Sequence, residues 1–434
     1  MKDMEIYKMM NKMAFPVLAN ALVEMIFSVA DQAIIGRISV EGFAAVGVVA
    51  NLLYLLTGTL GALSVAFTIL FGKAIGNNDT NKQNTIFSTA FSLACIIGVG
   101  FSAVSILGGK VFLSKFYGLK ADVLQYAYEY LVIAYWGLGL NLLIFLFSAY
   151  FKNLKKTTVT LVANIVSLTV NFIIDYVLVF GKIGFPKMGV KGAAIGTVVG
   201  LALNVMIFLF FFAKHKTVSF RFQIKVQEIK ELITLYIPIL GQDFVECTLF
   251  VMIITSIVTR LDTYSIAAYN LLEVMITFII LPAHAYGGVA MTLVSQNCEK
   301  DSLHDINQYP KIAIICSGIL VSVIGGLILA YPKVLNIITD DMKLVREATN
   351  ICVFAIAIQL INVVSQVYKY TLQSMTYENW VFKYSTIISL LSCAVIFVFV
   401  CLLDMGLVGL YLGTGVMYLV FAVGYVKKFK LHKC

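Results

Sequence analysis

The fold is decided by stretches such as residues 157–180, which read TTVTLVANIVSLTVNFIIDYVLVF. No Lys or Arg interrupts this run, although Lys155 and Lys156 precede it and Lys182 follows it. About 20 apolar residues in a helix are enough to cross the hydrocarbon core of a bilayer. Residues 157–180 therefore predict a transmembrane helix.

The composition of the whole chain agrees with this stretch. Of its 434 residues, 60% are hydrophobic and only 13% are charged, whereas about 25% of a soluble domain is charged. Such a chain cannot cover its surface with polar groups, which excludes most soluble enzymes. The chain has a formal charge of +9. In a chain this apolar, an excess of Lys and Arg is typical of a membrane protein with basic cytoplasmic loops, so we expect no nucleic-acid partner.

Long apolar runs recur along the chain and predict twelve transmembrane helices. Strand-like alternation is absent and the runs are too long for barrel strands, which excludes an outer-membrane barrel. The predicted fold is an all-α polytopic membrane protein. The runs are 13–36, 43–75, 85–108, 124–150, 157–180, 189–213, 232–259, 264–297, 311–330, 345–374, 381–402 and 406–427.

The two halves of the chain repeat one another. Pro16 and Glu24 recur at an offset of 222 as Pro238 and Glu246, and a Gly-rich motif that ends in Thr197 recurs in a motif that ends in Thr414. An even number of helices per half gives both halves the same orientation, so a pseudo-two-fold axis along the membrane normal should relate them. The predicted domains are an N-lobe at 1–213, a cytoplasmic linker at 214–231 and a C-lobe at 232–434.

The distribution of basic residues predicts the orientation in the membrane. With the N-terminus inside, 21 of the 32 Lys and Arg residues lie on the cytoplasmic side. Basic residues are enriched in cytoplasmic loops. We therefore expect a multi-pass protein of the plasma membrane with both termini in the cytoplasm.

Ionisable side chains within membrane spans are costly and mark candidate functional sites. In the first span, Glu24 and Asp31 are seven residues apart and share a helical face. In the fifth span, Asn171 and Asp175 are four residues apart and also share a face. Thr197 in the sixth span could supply a neighbouring hydroxyl. The alternative is that such acids lie near the headgroups and pair with lysine.

The second half of the chain carries its own polar candidates. Asp243 and Glu246 lie in the seventh span, and Glu273 lies in the eighth. His284, close to a proline, is interpreted as a hydrogen-bonded packing residue rather than a proton relay. Lys369 is interpreted as a residue whose charged end reaches the cytoplasmic surface.

Several functional classes lack their motifs. No GxxxxGK[ST] motif is present, which argues against nucleotide-driven transport, and neither HExxH nor GxSxG occurs. We therefore expect no enzyme activity, no catalytic residues and no cofactor. By elimination, the sequence indicates a secondary transporter.

Short motifs spread over most of the chain resemble the multidrug and toxic compound extrusion (MATE) family of the multidrug/oligosaccharidyl-lipid/polysaccharide exporter superfamily. Each motif is weak alone, but together they are fairly specific. They are Pro16, VADQAIIG at 29–36, FAAVG at 43–47, NFIID at 171–175, GVKGAAIGT at 189–197, FVE at 244–246, IAAYN at 266–270, Pro282 and VSQ at 294–296.

The resemblance implies two six-helix lobes around a V-shaped cavity and export driven by proton or sodium entry. In one branch of the family the cation site lies in the N-lobe, and its residues match Asp31, Asn171, Asp175 and Thr197. A sodium ion could bind at the first three. In another branch the site lies in the C-lobe and Glu246 matches it, with Glu273 as a further candidate for a cation or substrate. In that branch a partner for the glutamate would lie in the tenth span. No acid stands at the corresponding position of the tenth predicted span here.

The expected mechanism is alternating access, in which a helix bends at Pro16. The expected substrates are amphipathic small molecules, often cationic, and the candidate cavity residues are Tyr54, Tyr135, Trp136 and Gln296. We expect a monomer in the lipid bilayer. The alternatives are a lipid-linked oligosaccharide or polysaccharide flippase of the same superfamily, which should carry several basic cavity residues, and a channel or intramembrane enzyme.

Overall fold

The structure is a computed structural model that describes residues 2–215, 218–219, 221, 225–298, 303–331 and 341–431. These residues form fourteen α-helices and two π-helical turns and contain no β-strand. The helices are α1 Lys2–Ile35, α2 Val40–Gly76, α3 Thr80–Lys115, α4 Ala121–Ala134, α5 Trp136–Asn153, α6 Thr157–Phe180, α7 Val190–His215, α8 Val226–Asp243, α9 Phe250–Val258, α10 Thr263–Asn297, α11 Leu303–Ala330, α12 Met342–Ser374, α13 Glu378–Phe397 and α14 Gly406–Leu431. The π-helical turns are Phe244–Leu249 and Val398–Leu402.

The helices confirm the prediction of an all-α multi-pass membrane protein. Eleven segments of the described chain are long and apolar enough to cross a membrane. Helices α4 and α5 form a twelfth when taken together, since they are separated only by Tyr135 and bent by 42°. The fourth predicted span, 124–150, falls on this bent pair.

Local capping explains where several helices begin. The Ser39 hydroxyl accepts a hydrogen bond from the Gly42 amide at 2.9 Å, and the Asp79 carboxylate accepts one from the Lys82 amide at 2.9 Å. Each bond satisfies one of the backbone donors that the first turn of a helix leaves unpaired. At the other end of α6, Gly181 adopts a left-handed conformation with φ of 67°, which glycine adopts without steric penalty.

The chain divides into two compact units. The N-unit is Phe15–Ile233, and the C-unit combines Thr234–Cys434 with Met1–Ala14. The structure therefore differs from the predicted N-lobe at its first fourteen residues. Met10 and Met13 are fully buried in a C-unit core cluster, and the Tyr286 hydroxyl donates a hydrogen bond to Asn11 Oδ1 at 2.5 Å. Burial of these methionines is the physical reason for the difference.

The repeated glycine motif has the same structural role in both units. Gly189 and Gly406 both adopt φ of 54° at the start of a helix. In the N-unit, a β-carbon at Gly192 would lie 2.8 Å from the Leu178 carbonyl carbon, and in the C-unit one at Gly409 would lie 3.0 Å from that of Phe399. Small residues of this kind let two helix backbones approach closely. They fix α7 on α6 and α14 on the end of the preceding span.

A second close approach fixes α3 against α5. A β-carbon at Gly98 would overlap the Cα atom of Gly139, so neither helix can carry a larger residue at this crossing without moving. Gly100, two residues further along α3, has no atom within 4 Å of a β-carbon at its position. The packing of α3 on α5 therefore requires a glycine at position 98 but not at position 100.

Candidate functional site: two polar cavities

The N-unit contains a partly open cavity of about 490 Å³ among its membrane helices. Three of the four predicted cation-site residues, Asp31, Asp175 and Thr197, line it. The other lining residues are Glu24, Ser28, Gln32, Ile35, Phe43, Val46, Gly47, Ala50, Asn51, Tyr130 and Leu168. None of the fourteen lining residues is Lys or Arg, so the formal charges within this cavity are all negative.

Asp175 is held in place by its own helix and by α7. It is 2% exposed, and the Asn171 side-chain amide one turn earlier donates a hydrogen bond to its Oδ2 atom at 3.1 Å. Gly196 faces the same carboxyl group, and a β-carbon at that position would overlap Asp175 Oδ1. A β-carbon at Gly200 would lie 2.7 Å from the Asn171 β-carbon. The glycines of α7 therefore create the space that Asp175 and Asn171 occupy.

The two aspartates each retain an unsatisfied atom. Asp31 Oδ1 and Asp175 Oδ1 are buried and have no hydrogen-bond partner, and the two carboxyl groups are close enough to interact electrostatically. An uncompensated buried anion is unfavourable, and two of them repel. A shared proton or monovalent cation would relieve both effects. In the described part of the chain, no cluster of three or more His, Cys, Asp or Glu residues could hold a metal ion.

Thr197 lies at the cavity and is joined there by a residue that sequence reasoning missed. The Thr197 hydroxyl donates to the Ala193 carbonyl at 3.0 Å, and the Tyr130 side chain forms a hydrogen bond with Thr197. Tyr130 is buried and within electrostatic range of both Asp31 and Asp175. It comes from α4 in a run of ordinary amphipathic spacing, which carries no signal of a site.

Glu24 is hydrogen-bonded to a chain of amide side chains in the same unit, of which Asn164 and Asn204 are buried. Its Oε1 atom accepts hydrogen bonds from Asn20 Nδ2 at 2.9 Å and from Asn164 Nδ2 at 2.7 Å. The Asn204 amide in turn donates to Asn164 Oδ1. The spacing of four residues between Asn20 and Glu24 is visible in the sequence and indicates that they share a helical face. The hydrogen bonds from Asn164 of α6 and Asn204 of α7 have no such signal in the sequence.

The C-unit has a smaller cavity of about 220 Å³. Glu246 lines it from the π-helical turn Phe244–Leu249, a kind of backbone irregularity that is frequent at functional sites. Gln242 Nε2 donates a hydrogen bond to Glu246 Oε1 at 2.8 Å, and Gln373 Nε2 donates to Gln242 Oε1 at 2.9 Å. Glu246 thus has an amide one turn before it, as Glu24 does.

Lys369 corrects an expectation from the sequence. Its ammonium lies 3.0 Å from Glu246 Oε2, and its side chain is only 10% exposed. The charged end therefore pairs within the protein instead of extending to solvent as predicted. The physical reason is that the Glu246 carboxylate within reach offsets the cost of burying the ammonium.

The remaining candidates are spread over both units. Glu273 is exposed on α10 and does not line the Glu246 cavity. His284 does line it, and its Nδ1 atom is 3.2 Å from the Tyr370 hydroxyl, as expected for a hydrogen-bonded residue. Pro16 lies inside a continuous α1, so its bending role stays a prediction.

The four residues proposed from sequence to bind substrate do not line either of these cavities. Tyr54 is 79% exposed and Trp136 is 52% exposed, whereas Tyr135 and Gln296 are buried. Their contact with a substrate stays a prediction.

Comparison with known sequences places the chain in a well-populated group. The MatE family model matches residues 16–177 and 238–403. A probable multidrug resistance protein NorM from Thermotoga maritima is 24% identical over 347 residues, which cover 79% of this chain and 74% of the relative. A probable multidrug resistance protein YoeA from Bacillus subtilis is 20% identical over 334 residues, covering 74% and 71% of the two chains.

Solved structures share the fold at low sequence identity. The MATE transporter VcmN of Vibrio cholerae, solved as an aspartate-to-asparagine mutant, superposes with a TM-score of 0.88 at 18% identity, over 99% of this chain and 98% of that one. A transporter of the MOP superfamily from Pyrococcus furiosus superposes with a TM-score of 0.85 at 15% identity, over 98% and 95% of the two chains.

Proposed function

Because this chain belongs to the MatE family, we propose that it is a secondary transporter that exports amphipathic, often cationic, small molecules in exchange for an inward-moving cation. The names of its relatives, which are described as probable multidrug resistance proteins, support export of drugs or toxins. We assign it to the plasma membrane, with both termini in the cytoplasm.

The observation that carries the proposal is the pair of unsatisfied carboxylate oxygens in the N-unit cavity, Asp31 Oδ1 and Asp175 Oδ1. A proton or sodium ion entering the cavity would neutralise the pair, and its departure would restore the repulsion. Each inward cation gains about 2.3 kcal/mol per 100 mV of membrane potential. That free energy is available to drive a substrate outwards by alternating access.

The hydrogen-bonding groups around the pair would transmit the change. Asn171 donates to Asp175, and Tyr130 bonds Thr197 beside both acids. Protonation or cation binding would alter which of these groups the carboxylates attract. Asn171 presents its amide nitrogen to Asp175, so in this arrangement it orients the carboxylate. To bind sodium, the Asn171 side chain would have to turn so that its amide oxygen faced the ion.

The cavity chemistry favours export of cations over flipping of lipid-linked phosphates. Arg and Lys are the usual side-chain ligands of a phosphate headgroup, whereas the N-unit cavity has acids without a basic residue among its lining. Lys369 in the C-unit cavity already has a carboxylate partner. A flippase activity is therefore less well supported than drug export.

The test is efflux of a cationic dye from proteoliposomes under separately imposed proton and sodium gradients. Asp31→Asn and Asp175→Asn should each abolish gradient-driven efflux, whereas Asp122→Asn, on an exposed first turn of α4, should not. Wild-type rates in both site variants would refute the site. Equal efflux with no gradient would refute coupling, and a rate that does not saturate with dye would indicate a channel.

A further inference from the structure

The carboxylate of Glu246 is fully engaged by residues of its own unit. Gln242 Nε2 donates to Oε1 at 2.8 Å, and Lys369 Nζ donates to Oε2 at 3.0 Å. The Glu246 side chain is 16% exposed. The Lys369 ammonium also lies 5.7 Å from the centre of the Tyr370 ring and within electrostatic range of Asp243. A full positive charge therefore already occupies the anionic end of this cavity.

The repeat within the chain provides a comparison. Glu24 and Glu246 are related by the offset of 222 residues, and so are their amide partners Asn20 and Gln242. The second partner differs. Glu24 receives a neutral amide from Asn164, whereas Glu246 receives the ammonium of Lys369. The two glutamates therefore differ in the charge of their second partner.

Physical chemistry makes the ammonium difficult to displace. Lys369 is attached to α12, so it is present at the carboxylate without the entropy loss of capturing a free ion. A sodium ion that replaced it would leave an ammonium buried without its partner, which is strongly unfavourable. A free monovalent cation therefore competes poorly for Glu246 while Lys369 is present.

We propose that Lys369 is a tethered cation that closes a latent sodium site in the C-unit. The site would be formed by Glu246 and by Gln366, whose Oε1 atom is buried without a hydrogen-bond partner and which lines the same cavity. Gln366 lies three residues before Lys369, on the same face of α12. Closure of this site by Lys369 does not depend on which ion drives transport. One consequence rests on the proposed function: coupling would be confined to the acids of the N-unit.

The experiment measures equilibrium binding of radioactive sodium to the full-length protein in detergent. Asp31→Asn and Asp175→Asn are combined as the background, so that the N-unit acids do not contribute. We expect no saturable sodium binding in this background and a gain of one bound sodium per chain when Lys369→Met is added. Glu246→Gln should abolish that gain, and Lys369→Arg should keep the site closed.

Two results would overturn the proposal. One is saturable sodium binding in the background protein that Glu246→Gln removes. The other is a folded Lys369→Met or Lys369→Gln protein that binds no sodium. If neither variant folds, the background protein alone decides, because sodium binding that depends on Glu246 contradicts closure and its absence supports it. Dye efflux is measured separately, so failure of the proposed function is distinguishable.

Discussion

Gly196 lies directly against the carboxyl group of Asp175, so that a β-carbon at this position would overlap Asp175 Oδ1. The same point in the C-unit repeat is Gly413, which lies against the apolar side chain of Ile396. One helix crossing therefore has an acid in one unit and an aliphatic residue in the other. Both units have the close packing at this crossing, but only the N-unit has an ionisable carboxyl group there.

This contact predicts that Gly196→Ala disables transport. The added methyl group must push the Asp175 carboxyl away from its position beside Asn171, so gradient-driven efflux should fall to the level of Asp175→Asn. Gly413→Ala is the matched control, since its β-carbon would lie 2.5 Å from Ile396 Cγ1 and would disturb packing only. Efflux rates and melting temperatures should be measured for both. Normal coupled efflux in a folded Gly196→Ala protein would contradict the assignment of Asp175.

The ion pair of Lys369 and Glu246 predicts strong coupling between the two residues in stability. Removing one partner leaves a buried charge unpaired, so Lys369→Met or Glu246→Gln should destabilise the protein by about 3–5 kcal/mol in sodium-free buffer. The double variant should lose clearly less than the sum of the single losses. Thermal unfolding in detergent provides the measurement. Additive losses would mean that the two side chains do not interact.

The crossing of α3 and α5 predicts a packing effect that is independent of transport chemistry. Gly98→Ala should destabilise the protein by about 1–3 kcal/mol because its β-carbon has no space beside Gly139. Gly100→Ala, where the space is open, should be neutral or slightly stabilising, since alanine has the higher helix propensity. Melting temperatures of the two variants should diverge. Equal values would show that this crossing tolerates a wider separation.

The start of α10 predicts a local dependence on pH. Hydrogen bonds from the backbone amide and the hydroxyl of Ser265 hold the pKa of Asp262 below its ordinary value of 3.8. A lowered folded-state pKa stabilises the helix start fully above the ordinary value, and the stabilisation is lost as the pH falls through the folded pKa. Protection of the first turn of α10 from hydrogen exchange should therefore fall in acid.

Two controls isolate this effect. Asp262→Asn keeps an N-cap acceptor without a titrating group, so protection in that variant should not change over the same pH range. The first turn of α2 is capped by the Ser39 hydroxyl and provides the internal reference within the wild-type protein. A fall in protection at both helix starts would assign the loss to a general acid effect.

Much of the fold was predictable because the bilayer imposes one simple requirement on every span. The run 157–180 was predicted from hydropathy alone, and α6 occupies Thr157–Phe180. The bend at Tyr135 was not predicted, since helices α4 and α5 together have the length and polarity of one ordinary span. Hydropathy specifies that a segment crosses, and the packing of its neighbours specifies whether it is straight.

The candidate site was less accessible to sequence reasoning because its contacts join distant parts of the chain. Asp175 and Asn171 were recognisable as a pair within one helix. Lys369 was misinterpreted because its partner Glu246 is 123 residues away, and a lone lysine near the end of a span usually reaches the surface. Tyr130 was missed for the same reason, since its bond to Thr197 joins α4 to α7.

Helix α1 is continuous from Lys2 to Ile35, yet it belongs to both compact units. The chain therefore cannot be divided at 214–231 into two self-sufficient polypeptides. A fragment that begins at 232 lacks Met10 and Met13, which fill part of its own interior. Supplying Lys2–Ala14 as a separate peptide should restore that interior. The first fourteen residues of the chain thus complete the interior of a unit whose other residues begin only at Thr234.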